Sequence, residues 1–407
     1  MLLPNDTRNG ASTIAGFVDI GDYPHAISLG QGIEDRERVS AQDLAALGSA
    51  ELAAGRIDAA RRHLRTALDL KPFHTEVALI AWDLSQTEYL ANNYAAAAEW
   101  ARYAVDRGLP IKDWHIRYID ALTNIDVYRV LGKQSVRLPM VVDKPSIPRI
   151  DVGVNDQKLA AVVDTGAALS IISETNADKA GVRRLGDFKG TFYGLLGEPI
   201  SVAFGIIDRL QLGEMTITNV PVAIMSEGKM RFLAENRQPF DIGLLLGTNL
   251  LKEFRLELNF RAGNILMTHL REGDHNPAPD QNLFIIGSRP LVHGTVNRRG
   301  WYLFVLDTGS EITFLNEDEI ASSRLRLLPK MYGAMLQGLG GSMKRGSKIE
   351  NVELGLDKWA GTFRHLPLYS SQKNEAFGII GENMLKHFRL IIDFGSMRVT
   401  LKPERIL

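Results

Sequence analysis

The chain's 407 residues are 45% hydrophobic, enough apolar material to fill two or three separate cores. Its charges nearly cancel, 47 Lys+Arg against 48 Asp+Glu for a net −1, which gives no electrostatic argument for nucleic acid or an anionic membrane surface as partner. It has no cysteine, which excludes disulfides, zinc–thiolate centres and a cysteine nucleophile, and it has no apolar run long enough for a membrane span.

Residues 1–39 form a polar N-terminal arm with scattered glycine and no strong period. A disordered arm, a donated strand and a segment that fills a cleft before activation all remain open for it. The opening Met1-Leu2-Leu3-Pro4-Asn5-Asp6 has neither a basic n-region nor a long apolar core, so no signal peptide is read in the chain as given. A periplasmic or secreted location is expected if a leader was removed, a cytoplasmic one otherwise.

Residues 40–126 are rich in Ala and Leu and poor in β-branched residues, which predicts helices. Leu47-Gly48, Gly55, Ala60, Leu64, Ala67 and Pro72 have the spacing of a tetratricopeptide repeat, in which small residues let two antiparallel helices approach. A looser copy follows at Asn92, Tyr94, Ala97, Ala101 and Ala104, and Lys112 to Asp126 reads as a capping helix. Two such repeats bury little core alone. Recruitment of a protein or peptide partner and a purely rigid helical cap are equally compatible with this pattern.

Val141 to Pro148, with Pro145 and Pro148, reads as the linker into a first lobe spanning 141–270. There the apolar run Ala160 to Val163 ends in Asp164-Thr165-Gly166 and is followed by a second run, Leu169 to Ser173. Gly194-Leu195-Leu196-Gly197 lies between alternating segments and reads as a hairpin tip. Leu245-Leu246-Gly247 then opens the text GTNLLKEFRLELNF from Gly247.

Residues 271–282, with Pro277 and Pro279, form a linker, and 283–407 repeat the pattern. Tyr302 to Leu306 ends in Asp307-Thr308-Gly309, Ile312 to Leu315 follows, and Gly338-Leu339-Gly340-Gly341 reads as the second hairpin tip. Ile379-Ile380-Gly381 opens GENMLKHFRLIIDF, identical to the first copy at eight of fourteen positions. The offset between copies is 143 residues at the aspartates and 134 at Gly247 and Gly381, so the first copy carries extra residues after its hairpin. The polar stretch Ser226 to Gln238 is the expected extra loop.

A single Asp-Thr-Gly reads as readily as a turn whose Asp bonds its own backbone. Two copies with matched flanks predict one unit used twice, with the two carboxylates meeting at a pseudo-two-fold axis. Facing carboxylates cannot both ionise cheaply, so they share one proton and present a base and an acid together. That pairing suits amide hydrolysis by water without a metal or a covalent intermediate. Thr165 and Thr308 would brace the two loops across the axis, and Gly166 and Gly309 would allow close backbone approach. The hairpin tips, at Gly194, Leu195 and Gly197 and at Gly338, Leu339 and Gly340, would close over an extended peptide. The nine histidines are scattered with no HExxH, and no GxxxxGK[ST] occurs, so neither a metal nor a nucleotide cofactor is expected.

This constellation resembles the pepsin and retropepsin superfamily of aspartic proteases, over about Ile147 to Leu407. The short halves and plain hairpins look like the retroviral form, or its bacterial relatives, fused in tandem. The resemblance implies an all-β bilobal acid-protease fold behind the helical domain, and a monomer that carries both lobes in one chain. It also implies a peptide or protein substrate, with Asp164 and Asp307 binding the attacking water and Tyr193 covering the site, where the second half has Gln337. Ser310, where the first copy has Ala167, is expected to bond the outer oxygen of Asp307 through its hydroxyl and make Asp307 the more readily ionised. Two rival functions stand beside this one: a non-enzymatic adaptor working through the helices, and a narrow maturation protease for one partner protein.

Overall fold

A computed structural model describes residues 11–33, 39–142, 146–194, 197–233, 239–322, 331–337, 343–369 and 376–403. The chain divides into two units, Met1–Val127 and Tyr128–Leu407.

The first unit is helical, with α1 (Ile14–Asp19), α2 (Tyr23–Gly30), α3 (Ala41–Ala53), α4 (Ile57–Asp69), α5 (His74–Leu90), α6 (Tyr94–Asp106) and α7 (Asp113–Leu122). Side chains set the starts: Ser40 Oγ accepts the Asp43 N–H at 3.0 Å, and Thr13 Oγ1 accepts that of Gly16 at 3.0 Å. Gly55 and Asn92, both at positive φ, end α3 and α5 and turn the chain back. Leu47, Leu64, Leu84, Ala60 and Ala101 fill the core. A Cβ on Gly48 would collide with the Leu64 side chain, so this glycine sets how closely α3 and α4 pack. The N-terminal arm contributes α1 and α2, both packed on α3.

The second unit is all-β apart from short helical turns. Its first lobe is a nine-stranded sheet that closes on itself, because the strand Pro199–Leu212 pairs with Met215–Met225 as well as with its other neighbours. The second lobe is an eight-stranded sheet closed in the same way by pairing of Arg289–Val296 with Met343–Leu356. In each lobe the strand before the Asp-Thr-Gly is hydrogen-bonded in parallel to the hydrophobic-hydrophobic-Gly strand: Gln157–Val163 to Leu244–Leu246, and Arg299–Leu306 to Gly378–Ile380. The strand after the Asp-Thr-Gly pairs antiparallel with the other side of that same strand. The extra segment of the first lobe holds a short 3₁₀ turn, Glu227–Lys229, and the paired strands Arg231–Leu233 and Pro239–Asp241.

A five-stranded sheet joins the lobes, in the order Ser135–Pro139, Asn264–His269, Phe254–Asn259, Phe388–Asp393, Arg398–Pro403. Its two central strands are the repeated text itself, paired antiparallel. Glu257 lies opposite its own repeat counterpart, Ile391, so the pseudo-two-fold axis passes through that pair. Leu256, Leu258, Leu390 and Ile392 bury one face of the sheet. On the other face Arg255 and Arg389, again repeat counterparts, both bond the Glu257 carboxylate. Tyr128 to Met140, ahead of the expected first lobe, adds strands to both the first-lobe sheet and this joint.

Candidate active site

The two Asp-Thr-Gly loops meet. Each is anchored from behind: the Asp164 N–H donates to Leu246 O and the Asp307 N–H to Ile380 O, both at 3.0 Å. The threonines then interlock. Thr165 Oγ1 donates to Leu306 O at 2.5 Å and accepts the Thr308 N–H at 3.1 Å. Thr308 Oγ1 donates to Val163 O at 2.6 Å and accepts the Thr165 N–H at 3.1 Å. Both side chains have no exposed surface, so every polar atom here depends on its partner in the other loop.

This interlock brings the carboxyls together. A Cβ on Gly166 would sit on the Asp307 carboxyl, and one on Gly309 would sit on the Asp164 carboxyl. Only glycine leaves room for each acid to lie against the opposite loop. Asp164 Oδ1 accepts the N–H groups of Gly166 at 2.8 Å and Ala167 at 3.1 Å. Asp307 Oδ1 accepts the Gly309 N–H at 2.8 Å, and the Ser310 N–H also bonds this carboxyl. The two carboxyls hydrogen-bond each other. Both keep a minor part of their surface in solvent and are otherwise crowded by protein.

Burial pushes both aspartates above the ordinary carboxylate range. The charge of Asp307 and the hydrogen bond to it raise Asp164 further, against the N–H groups of Gly166 and Ala167. Asp307 is raised too, although the bond from Asp164, the N–H groups of Gly309 and Ser310 and the charge of Arg289 all favour its ionised form. The pair therefore retains one proton where isolated aspartates would hold none.

The expected role of the Ser310 hydroxyl is corrected here. Ser310 Oγ donates to Ile312 O at 2.9 Å, within its own loop, and not to Asp307. The Ser310 contribution is its backbone N–H, which Ala167 matches in the first lobe, so these two side chains do not distinguish the acids. Arg289 does.

Sequence reasoning missed a second symmetric layer. Asn249 Oδ1 accepts the Ser170 N–H and hydroxyl at 2.7 and 2.9 Å, and Asn383 Oδ1 accepts those of Thr313 at 2.8 and 2.7 Å. Ser170 and Thr313 Oγ in turn accept the N–H groups of Gly247 and Gly381, each at 3.0 Å. The shared Gly-x-Asn of the two repeat texts was the available signal. Of the flap residues, Tyr193 ends the strand Gly190–Tyr193 and is half-exposed. Gly194 and Gly197 turn the hairpin, with Gly197 at φ +80°. Gln337 ends the matching strand Met331–Gln337, while Leu195, Gly338, Leu339 and Gly340 lie outside the described residues.

Residues 150–253 match the family described as "gag-polyprotein putative aspartyl protease". The matched stretch lies within the first lobe and includes Asp164. The solved aspartic proteinase from Irpex lacteus aligns over 66% of this chain and 97% of its own length, at 11% identity and a TM-score of 0.40. No curated protein matches the chain. Among the described residues, no group of three or more His, Cys, Asp or Glu is placed to hold a metal ion, and no helix is long and apolar enough to cross a membrane.

Proposed function

We propose that the chain is an aspartic endopeptidase that cleaves peptide bonds with water activated between Asp164 and Asp307. One observation carries this reading: two hydrogen-bonded carboxyls that keep one proton between them, on loops locked by reciprocal threonine bonds. The ionised carboxylate takes a proton from water as its oxygen adds to the carbonyl carbon, and the protonated partner gives its proton to the carbonyl oxygen. Collapse of the resulting diol breaks the C–N bond, and the amine leaves with a proton returned from the pair. The Thr and Gly residues of both loops hold this arrangement. Tyr193, Gly194, Leu195 and Gly197, with Gln337, Gly338, Leu339 and Gly340, pair with the extended substrate from above. The helical unit, with its tetratricopeptide-like spacing, recruits protein substrates.

A random peptide library across a pH series tests the reading. The parent protein is expected to cut best at acidic to mildly acidic pH, and Asp164→Asn and Asp307→Asn are each expected to lower turnover by about 10²–10⁴-fold with an unchanged fold by circular dichroism. Unchanged turnover in either variant would falsify the dyad.

A further inference from the structure

The two halves agree in their catalytic loops but differ in charge beside them. Glu311 lies four residues beyond Asp307 in the same loop, where the first lobe has Ala168. It is half-buried, and its Oε1 accepts the N–H of Ser146 in the first lobe at 2.7 Å. Arg289 opens the strand in which Leu291 pairs with Val305, and that register runs on to set Arg289 beside Asp307. In the first lobe Arg149 pairs with Val162, so the same register sets Ile147 beside Asp164. Nearness of Arg289 to the dyad is also felt electrostatically, since its charge favours ionised Asp307.

The pseudo-two-fold axis decides where these charges fall. The Ser146 contact puts Glu311 next to Ile147, across the axis from its own lobe's Arg289. The same relation puts Arg289 next to Ala168. An exact repeat would give both ends of the cleft one set of charges. Here one end holds Glu311 with Ile147 and the other holds Arg289 with Ala168.

We propose that the cleft is electrically polar: the Glu311 end accepts a basic side chain and the Arg289 end an acidic one, so a peptide with opposite charges flanking the scissile bond binds in one chain direction. This rests on the endopeptidase reading and adds a substrate class to it.

The test uses the full-length protein and two peptides of one apolar core sequence, one with Lys before and Glu after the scissile bond and one with the charges exchanged. The parent is expected to prefer one of them by about five- to tenfold in kcat/KM, with the preference shrinking as salt rises. Glu311→Gln, whose amide oxygen can still accept the Ser146 N–H, is expected to lose discrimination for Lys over norleucine and to keep that for Glu over Gln. Arg289→Gln is expected to do the reverse. If both peptides are cut at rates within twofold in the parent, or if neither variant changes the ratio, the polarity is overturned while the endopeptidase reading stands. If the parent cuts no library peptide, both are overturned.

Discussion

At the scale of single residues the site rests on two threonines that each satisfy backbone groups of the other half. Thr165→Val keeps the shape but leaves the Thr308 N–H and Leu306 O unpaired in a dry setting, at a cost of about 2–5 kcal/mol. Thr308→Val should cost a similar amount. Because both serve one network, the double variant should lose clearly less than the two single losses added, as read by urea unfolding. The aspartates act in the opposite sense. Their carboxyls are raised in the fold, so ionising them costs stability. That cost is absent below the ordinary Asp value, grows as pH climbs past it, and is complete above the raised values. Asp307→Asn should therefore raise the urea midpoint at neutral pH, and the gain should vanish in acid below the ordinary Asp range. Both aspartates, both threonines and the need for glycine were legible in the repeated tripeptide. The Ser310 hydroxyl was not, because a local acceptor, Ile312 O, satisfies it.

At the scale of elements the repeat text announced two strands but not that they pair with each other. Register is a three-dimensional choice, made here by the buried faces of Leu256, Leu258, Leu390 and Ile392. Glu257 is the exception inside this joint. Burial would raise its carboxyl, but hydrogen bonds from Arg389 and Arg255 outweigh that and hold it below the usual range. Its contribution to stability is therefore present above the ordinary Glu value and is lost as pH falls through the lowered one. Glu257→Gln should destabilise by about 1–3 kcal/mol at neutral pH, since the two half-exposed arginines lose their shared anion, and should flatten that part of the pH–stability curve. The arm was the least readable element. Thr13 and Asp22 do cap α1 and α2, yet at six and eight residues the helices are too short for an apolar period to stand out in the sequence.

At the scale of the whole molecule, the boundary at Val127 separates unlike chemistry. Residues 1–127 carry 18 Asp+Glu against 12 Lys+Arg, and residues 128–407 carry 30 against 35. Deleting residues 1–127 therefore leaves a net-positive protein, and its assay belongs at physiological salt, where non-specific adsorption is not mistaken for altered recruitment. The truncated chain is expected to cut short peptides at the parent rate and whole-protein substrates more slowly. Equal rates on both substrates would leave the helices without a role in recruitment. The bilobal plan was legible because the duplicated text fixed its symmetry. Where the copies differ, as at Arg289 and Glu311, the letters carry no positions, and contacts across the axis such as Glu311 with Ser146 emerge only from the folded chain.

The joint between the lobes has one more consequence. Its central strand on either side is complementary to a near-copy of itself, so it does not distinguish its own chain's other half from that of a neighbour. Concentrated, partly unfolded molecules would exchange halves, and each exchanged pair would rebuild two intact dyads. Slow, dilute refolding should give monomer, and crowded refolding a dimer of undiminished specific activity.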